Sequence, residues 1–217
     1  MFYNNTALNN IDTSKFNTTN VVNFSGMFSY CDKLANLDLL NFDTKNVNNM
    51  NSMFEHCVAL SNLDLSSFDG TKLTTMAKIF KDDSLLSLTL GNKFKFVKNS
   101  NNEDSALSSP IVKVGKTTGN WVRADSKSKA YSPEDFMKNY GTGDLTPGEY
   151  VGEDTTWGTS TWKFDETTGI LTINQGTLST SKDSPWNRTD SAKIDSSKIK
   201  EIDFTGSVVA PDDSSEL

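Results

Sequence analysis

Three aspartates recur every 26 residues in the first part of the chain: Asp12, Asp38 and Asp64. Asp38 and Asp64 each lie between two leucines, and side chains along an extended strand alternate between its two faces, so we expect these carboxylates to point towards water. Carboxylates repeated at the ~4.8 Å spacing of neighbouring strands form a row that can bind a basic partner. The same aspartates could instead accept hydrogen bonds from turn amides or keep the surface soluble, so the sequence leaves both roles open.

A second group of candidate binding residues is aromatic. Exposed aromatic rings can stack on sugar rings or anchor protein interfaces. From this group we select Trp121 and Trp157 as candidate binding residues. Small β-rich modules also need large side chains for their own cores, so packing is the competing explanation. The large aromatic residues after residue 110 are Trp121, Tyr131, Tyr140, Tyr150, Trp157, Trp162 and Trp186.

Residues that could catalyse a reaction or bind a metal ion are sparse. The single histidine, His56, precedes Cys57 directly, and adjacent side chains on a helix diverge too far to form a Cys–His pair. No second pair of zinc ligands accompanies them. Acidic pairs such as Asp212-Asp213 lack both the apolar shielding of a catalytic acid and the spacing of a calcium loop. We therefore predict no catalytic residue, no metal site and no cofactor, and a chain that is not an enzyme.

The aspartates belong to an internal repeat. A fixed period of this length is typical of proteins whose repeats bury their apolar faces by stacking on one another. The register extends back to Phe2 and forward, with one residue deleted, to Phe94, which predicts a repeat region over residues 1–96. Other pairs with the 26-residue period are Met27/Met53, Phe28/Phe54, Cys31/Cys57, Leu34/Leu60 and Phe42/Phe68.

Each repeat is predicted to contain one helix and one strand. The apolar positions of residues 21–31 and 47–57 have helical spacing, and Thr44 and Asn46 are possible N-caps of the second helix. Residues 37–39 and 63–65 alternate between apolar and polar, which predicts one short strand per repeat, with neighbouring strands parallel.

The two cysteines, Cys31 and Cys57, occupy equivalent positions on the predicted helices. Packed helices have axes ~8–10 Å apart, whereas the Cα atoms of a disulfide lie within roughly 7 Å of each other. The spacing therefore argues against a disulfide, and we predict two buried thiols that act as small apolar residues. Asp83 stands at the equivalent position of the next repeat.

Three further parts are predicted after the repeat region. Residues 97–110 are polar and form a connector, and residues 111–155, with Val112 and Val114 in alternation, form a small β-rich linker module. Residues 156–217 combine a β-hairpin with a strand segment that resembles the cap at which a stack of repeats starts.

Local signals mark three elements in these parts. Ser132 as N-cap and Pro133 at the first helical position predict one short helix. The apolar segments 162–164 and 170–173 flank a loop with Gly169 at a positive φ, which predicts the hairpin. Residues 199–204 alternate strictly and predict a strand.

The repeated pattern L-x-x-L-D-L followed by F-D-T-x-N-V-x-N-M-x-x-M-F-x-x-C resembles the BspA-like leucine-rich repeats of bacterial surface proteins, above all the 26-residue subtype of lactobacilli and related Gram-positive bacteria. The resemblance covers about the first 95 residues. It implies an α/β fold class, in which a short leucine-rich-repeat solenoid of parallel strands and short helices precedes the small β-rich modules.

The same resemblance implies an extracellular location at the cell surface or cell wall of a Gram-positive bacterium. The function that it implies is a non-enzymatic adhesin or interaction module, which binds a protein or glycan of a host or of a neighbouring cell through the repeat face. The alternative is a structural spacer of a surface stalk, with head-to-tail self-association as a further expectation.

Composition restricts the classes of partner. Lys and Arg number 21 against 28 Asp and Glu, which gives a net charge of −7. Because nucleic acid is bound through basic stripes, we predict no nucleic-acid partner. No run of about 18 apolar residues occurs, so we predict no membrane span in this fragment. Met1-Phe2 occupies the place of Met27-Phe28 in the register, so we expect the sequence to begin inside a repeat.

Overall fold

The computed structural model describes residues 1–101, 103–111, 117–125, 127–188 and 193–211. Val112, Val114 and the pair Asp212-Asp213 lie outside the described residues. The elements within them are β1 (Asn62–Leu65), β2 (Ser87–Leu90), β3 (Thr117–Arg123), α1 (Pro133–Asn139), β4 (Gly148–Asp154), β5 (Thr156–Trp157), β6 (Ser160–Asp165), β7 (Ile170–Ile173), β8 (Gly176–Thr177), β9 (Glu201–Phe204) and β10 (Val208–Val209), with single-turn 3-10 helices at Ser181–Asp183 and Ser196–Lys198.

The fold class predicted from the sequence is wrong. Residues 21–31 and 47–57 form turns instead of helices, and residues 37–39 form no strand. β1 and β2 do pair in parallel, but β2 then pairs antiparallel with β4, and the sheet has the mixed order β1-β2-β4-β3. An α/β solenoid of parallel strands and short helices is therefore not formed.

The predicted helices fail because every turn of the chain contains residues in the left-handed region. Tyr30 and His56 have φ values of 59° and 60°, and Ser52 has a φ of 55°. A left-handed residue cannot continue a right-handed helix. The backbone N–H groups instead donate to the next turn of the chain, 25 positions further on, as from Phe28 to Met53 O at 3.0 Å.

Hydrogen bonds from threonine side chains also join successive turns. Thr44, predicted as an N-cap, is buried, and its Oγ1 lies 3.3 Å from the carbonyl oxygen of Asp69, to which it donates. The same Oγ1 accepts from the Asp69 N–H at 2.7 Å. Thr18 makes the same two bonds with Asp43, at 3.3 and 2.7 Å. These side chains bond the neighbouring turn because no helix begins where they lie.

Four phenylalanines stack along the interior of the repeat region. The ring centroids of Phe2, Phe28, Phe54 and Phe80 are separated by 5.7, 6.1 and 6.4 Å in turn, with interplanar angles of 9°, 2° and 14°. The last three rings are fully buried, whereas Phe2 is only partly buried. Each ring is thus covered by the ring of the next turn. We call the four copies that begin at these phenylalanines units 1 to 4.

The same core continues past the repeats into residues 131–150. Phe96 packs edge-on against Phe136 of α1, and Phe136 against Tyr150 of β4, at centroid distances of 5.8 and 4.7 Å. The predicted helix start is confirmed, because the Ser132 side chain accepts from the Asp135 N–H and Pro133 opens α1. α1 and β4 therefore cover unit 4.

Residues 156–211 form a second core with its own strands. β6 and β7 pair antiparallel, and Gly169 has a φ of 79°, which confirms the predicted hairpin. β7 pairs in parallel with β9, and β8 in parallel with β10. The strand predicted over 199–204 is confirmed for Glu201–Phe204, which form β9.

Candidate functional site

The three aspartates of the candidate site each close a turn of the backbone. One carboxylate oxygen accepts from the N–H two residues on, at 2.9 Å in Asp12, 3.0 Å in Asp38 and 2.8 Å in Asp64. Hydrogen bonds from Ser14 hold the pKa of Asp12 below its usual value. This Asx-turn bond orients each carboxylate, and the role as acceptor of turn amides, which the sequence left open, is present in the structure.

A second row of aspartates lies beside the first. Asp43 and Asp69 also accept from backbone N–H groups two residues on, and each pairs with a lysine: Lys45 at 2.6 Å and Lys93 at 3.0 Å. Hydrogen bonds from Thr71, with a further one from Lys93, lower the pKa of Asp69 to about 2. The recurrence of Phe-Asp every 26 residues was the signal that could have identified this row.

The two rows differ in charge compensation. Among the described residues, no lysine or arginine nitrogen lies within 4.0 Å of the Asp12, Asp38 or Asp64 carboxylates, whereas both members of the second row are paired. Asp12 and Asp38 are exposed and Asp64 is partly buried. The first row therefore presents charge that a partner can neutralise, and we call it the uncompensated row.

An aromatic strip is a feature that sequence reasoning missed. Tyr3 packs edge-on against Tyr30 at a centroid distance of 6.0 Å, and Tyr30 lies 5.0 Å from the His56 ring. Tyr3 is 63% exposed, and the other two are partly buried. With its φ of 60°, His56 lies in a left-handed turn and not on the predicted helix. Tyr3 is offset by one position from the repeat register, so periodicity alone does not place it beside Tyr30.

The two candidate tryptophans lie inside the cores. Trp121 is fully buried and Trp157 is 2% exposed. Their indole N–H groups donate to Ser108 O at 3.0 Å and to Thr180 O at 3.1 Å. A ligand could reach their rings only if the surrounding side chains moved, so their binding role stays a prediction and packing accounts for their positions.

Both cysteines are free and buried, which confirms the thiol prediction. Burial raises the pKa of each, and the Cys57 thiol lies 3.2 Å from Phe28 O, to which it donates. Asp83 occupies the repeat position that is equivalent to Cys31 and Cys57. Its Oδ1 accepts from the Cys57 N–H at 3.1 Å, whereas its Oδ2 is buried and has no hydrogen-bond partner among the described residues. Burial raises the pKa of Asp83 to about 8.

A cleft of about 830 Å³ lies between residues 118–120 and β6. Its one carboxylate beside β3, Glu153, accepts from Thr118 Oγ1 at 2.6 Å and from Asn120 Nδ2 at 3.4 Å. Glu153 therefore fastens one strand to the next. Within the described ranges, no three His, Cys, Asp or Glu side chains gather as a metal site would require, and no helix has the length and apolarity to cross a membrane.

A comparison with known protein families gives a match over the first half of the chain. Residues 1–108 match the family described as "Mycoplasma protein of unknown function, DUF285". The likeness covers the repeat region and ends before β3. Neither the curated proteins nor the solved structures contain a significant match to this chain.

Proposed function

We propose that the chain is a non-enzymatic interaction module of a bacterial cell surface, which binds a basic macromolecule of a host or of a neighbouring cell through its repeat face. The observation that carries this proposal is the uncompensated row. Asp12, Asp38 and Asp64 repeat at one position per turn, and the described residues supply no cation for them, although the second row has its lysines.

The geometry of the row favours recognition of a partner with regularly spaced lysine or arginine side chains. The backbone N–H bond uses one oxygen of each carboxylate and fixes its direction, so little side-chain entropy is lost when a cation binds. Charge pairs at an exposed surface are weak one by one, whereas several in a row raise both the association rate and the specificity. Binding should therefore weaken steeply as salt is added.

The state of the cysteines is compatible with a location outside the cell. Thiolates, not thiols, react with oxidants, and burial together with a raised pKa keeps Cys31 and Cys57 protonated. Free thiols held in this way would tolerate an oxidising environment without forming a disulfide.

Binding to an array of matrix proteins and cell-surface glycans tests the proposal. We expect retention of a basic ligand, and loss of most of that binding in the variant Asp12→Asn/Asp38→Asn/Asp64→Asn. Asparagine keeps the carbonyl oxygen that accepts the turn N–H, so this variant removes charge and preserves the turns.

A control for net charge is the double variant Asp165→Asn/Asp195→Asn, which removes two charges against the three of the row variant. These two exposed aspartates close the same kind of turn, with Thr167 and Ser197, far along the chain from the repeats. The control should bind like the parent protein. Equal losses in both variants would reduce the effect to net charge and contradict a role for the row. Retention of nothing on the array would favour the spacer function.

A further inference from the structure

The carbonyl oxygen of the repeated phenylalanine accepts from both a backbone N–H and a thiol in units 1 and 2. Phe2 O accepts from the Asn5 N–H at 3.2 Å and from the thiol of Cys31, whose Sγ lies 3.2 Å away. Phe28 O accepts from the Cys31 N–H at 3.1 Å and from the thiol of Cys57, whose Sγ lies 3.2 Å away. Each thiol therefore ties its own unit to the unit before it.

In unit 3 the same carbonyl has the backbone donor but not the thiol. The Cys57 N–H donates to Phe54 O at 3.0 Å. The thiol position of the following unit holds Asp83, whose Oδ1 accepts from the same Cys57 N–H at 3.1 Å. Because one nitrogen bonds both oxygens, the Asp83 carboxyl group lies beside the Phe54 carbonyl. The other carboxyl oxygen, Oδ2, is buried and has no hydrogen-bond partner among the described residues.

The charged groups around Asp83 disfavour an ionised carboxylate. Glu55 of unit 3 and Asp82 of unit 4 are both acidic, and the Cys57 thiol is kept neutral by its raised pKa. Lys81 pairs with Glu55 at 3.5 Å and with Asp82 at 3.4 Å, and in the described part of the chain no lysine or arginine nitrogen lies within 4.0 Å of the Asp83 carboxylate. Desolvation, with a smaller contribution from the two acids, raises the pKa of Asp83 to about 8.

We propose that Asp83 is a neutral carboxylic acid whose Oδ2–H donates to Phe54 O, and that loss of this proton opens the contact between units 3 and 4. The proton gives Phe54 O the side-chain donor that thiols supply in units 1 and 2, and it gives Oδ2 its partner. When the proton passes to a base in the solvent, a buried negative charge replaces the hydrogen bond, and that charge is stabilised only by reaching water. This proposal does not depend on the ligand of the uncompensated row.

Amide hydrogen exchange in the parent protein and in Asp83→Asn tests the opening. Asparagine has the shape of the acid, accepts at Oδ1, donates at Nδ2 and does not titrate. Rates are compared at equal pH, so that the intrinsic pH dependence of exchange cancels. For the N–H groups of Phe54 and Cys57, we expect the parent-to-variant ratio of exchange rates to rise by up to about tenfold for each pH unit between about 4 and 8.

Two controls separate this effect from others. Asp82→Asn removes an exposed neighbouring charge, and asparagine tolerates the φ of 61° at this position, so this variant should behave like the parent protein. The Asn174 N–H, which donates to Thr161 O at 2.8 Å in the second core, should exchange equally in the parent protein and in Asp83→Asn at every pH. An equal rise at Asn174 would mean that the whole chain unfolds, and would overturn a local opening.

The position of the proton is tested directly on the parent protein. In a carbon-13 spectrum of the carboxyl groups, the signal that is missing from Asp83→Asn or from Asp83→Cys belongs to Asp83. We expect this signal to have the shift of a protonated acid at about pH 6 and to titrate at alkaline pH. In crystals grown at about pH 6, Oδ2 should lie within about 3.0 Å of Phe54 O. Titration of Asp83 in the ordinary acidic range, an Oδ2 bonded to another group, or a ratio of exchange rates that is independent of pH overturns the proposal.

Discussion

Phe2 and Phe54 occupy the same position of the repeat but have different surroundings. Phe54 lies between two parallel rings, at 6.1 and 6.4 Å, and is fully buried. Phe2 stacks on Phe28 of the next turn and on Phe16 of its own turn, at 5.7 and 6.0 Å, and remains partly exposed. The difference teaches that contacts within one turn do not complete the burial of its apolar residues. Full burial requires an adjacent turn on each side, so each unit depends on its neighbours.

The largest effect is expected when the Phe54 and Phe2 side chains are each replaced by alanine. Phe54→Ala should lower the free energy of unfolding by about 3–5 kcal/mol, because a buried ring is lost and a cavity remains. Phe2→Ala should lower it by less than about half of that amount, because the Phe2 side chain is already partly exposed. Urea unfolding measures both values. Equal losses would show that the exposed side of Phe2 is covered in solution.

The second test concerns the buried position that holds Cys57 in unit 3 and Asp83 in unit 4. The folded pKa of Asp83 is raised to about 8 from an ordinary value of 3.8, mainly by desolvation and further by Asp82 and Glu55. The unfolded chain therefore releases this proton first as pH rises. The stability that depends on a protonated Asp83 is fully present below about pH 4 and is lost progressively as pH rises towards 8.

Replacing the acid by the residue of the equivalent position should remove this dependence. Asp83→Cys should be more stable than the parent protein at pH 8, by a few kcal/mol, and close to it at pH 4. Thermal or urea unfolding at the two pH values measures the difference. The same pH profile in both proteins would mean that another group titrates.

The smallest effect is expected when the threonine hydrogen bonds between turns are removed. It tests whether these bonds, like the rings, are weaker in unit 1 than inside the repeat region. Thr18 and Thr44 make the same pair of bonds to the next turn, and both are buried. Thr18→Val and Thr44→Val should therefore each cost about 1–2 kcal/mol, because a buried backbone N–H and carbonyl lose their partners. A much smaller loss for Thr18→Val, measured by urea unfolding, would show that unit 1 is loosened throughout.

Signals confined to a few residues predicted local structure correctly. The Ser132-Pro133 start gave α1, and Gly169 gave the loop of the β6–β7 hairpin. The repeat also identified which side chains would be buried, since Phe28, Cys31 and Leu34 are all fully buried. Each of these predictions rests on a preference that acts over a short stretch of chain or on a period that repeats the same surroundings.

The conformation of the repeat could not be predicted in the same way. Apolar residues three and four positions apart fit a helix, and they fit equally a series of turns that bond the neighbouring chain. Tyr30 and Ser52 adopt the left-handed region although neither is a residue type that favours it, so their types give no warning. The pairing of β2 with β4 joins residues about 60 positions apart, which local pattern does not determine.

In the candidate site, too, the sequence predicted local features but not those that depend on contacts between distant residues. The sequence identified Asp12, Asp38 and Asp64 as outward-facing and named both of their possible roles. It could not identify the uncompensated row, because the lysines that pair with Asp43 and Asp69 come from positions 2 and 24 residues away. Only the folded chain decides which carboxylates have a lysine within reach.

The hydrogen bonds between turns have an electrical consequence. The N–H groups of Phe28, Phe54 and Phe80 all donate forward along the chain, to Met53, Ile79 and Ser105, so these peptide dipoles point the same way. Aligned peptide dipoles add up, as they do in a helix, to fractional charges at the two ends. The carbonyl end of this column lies at unit 1, where it favours cations and donors. The effect is local to the column, because other N–H groups, such as those of Asn48 and Thr74, donate backwards to Val22 O and Asn48 O and have the opposite polarity.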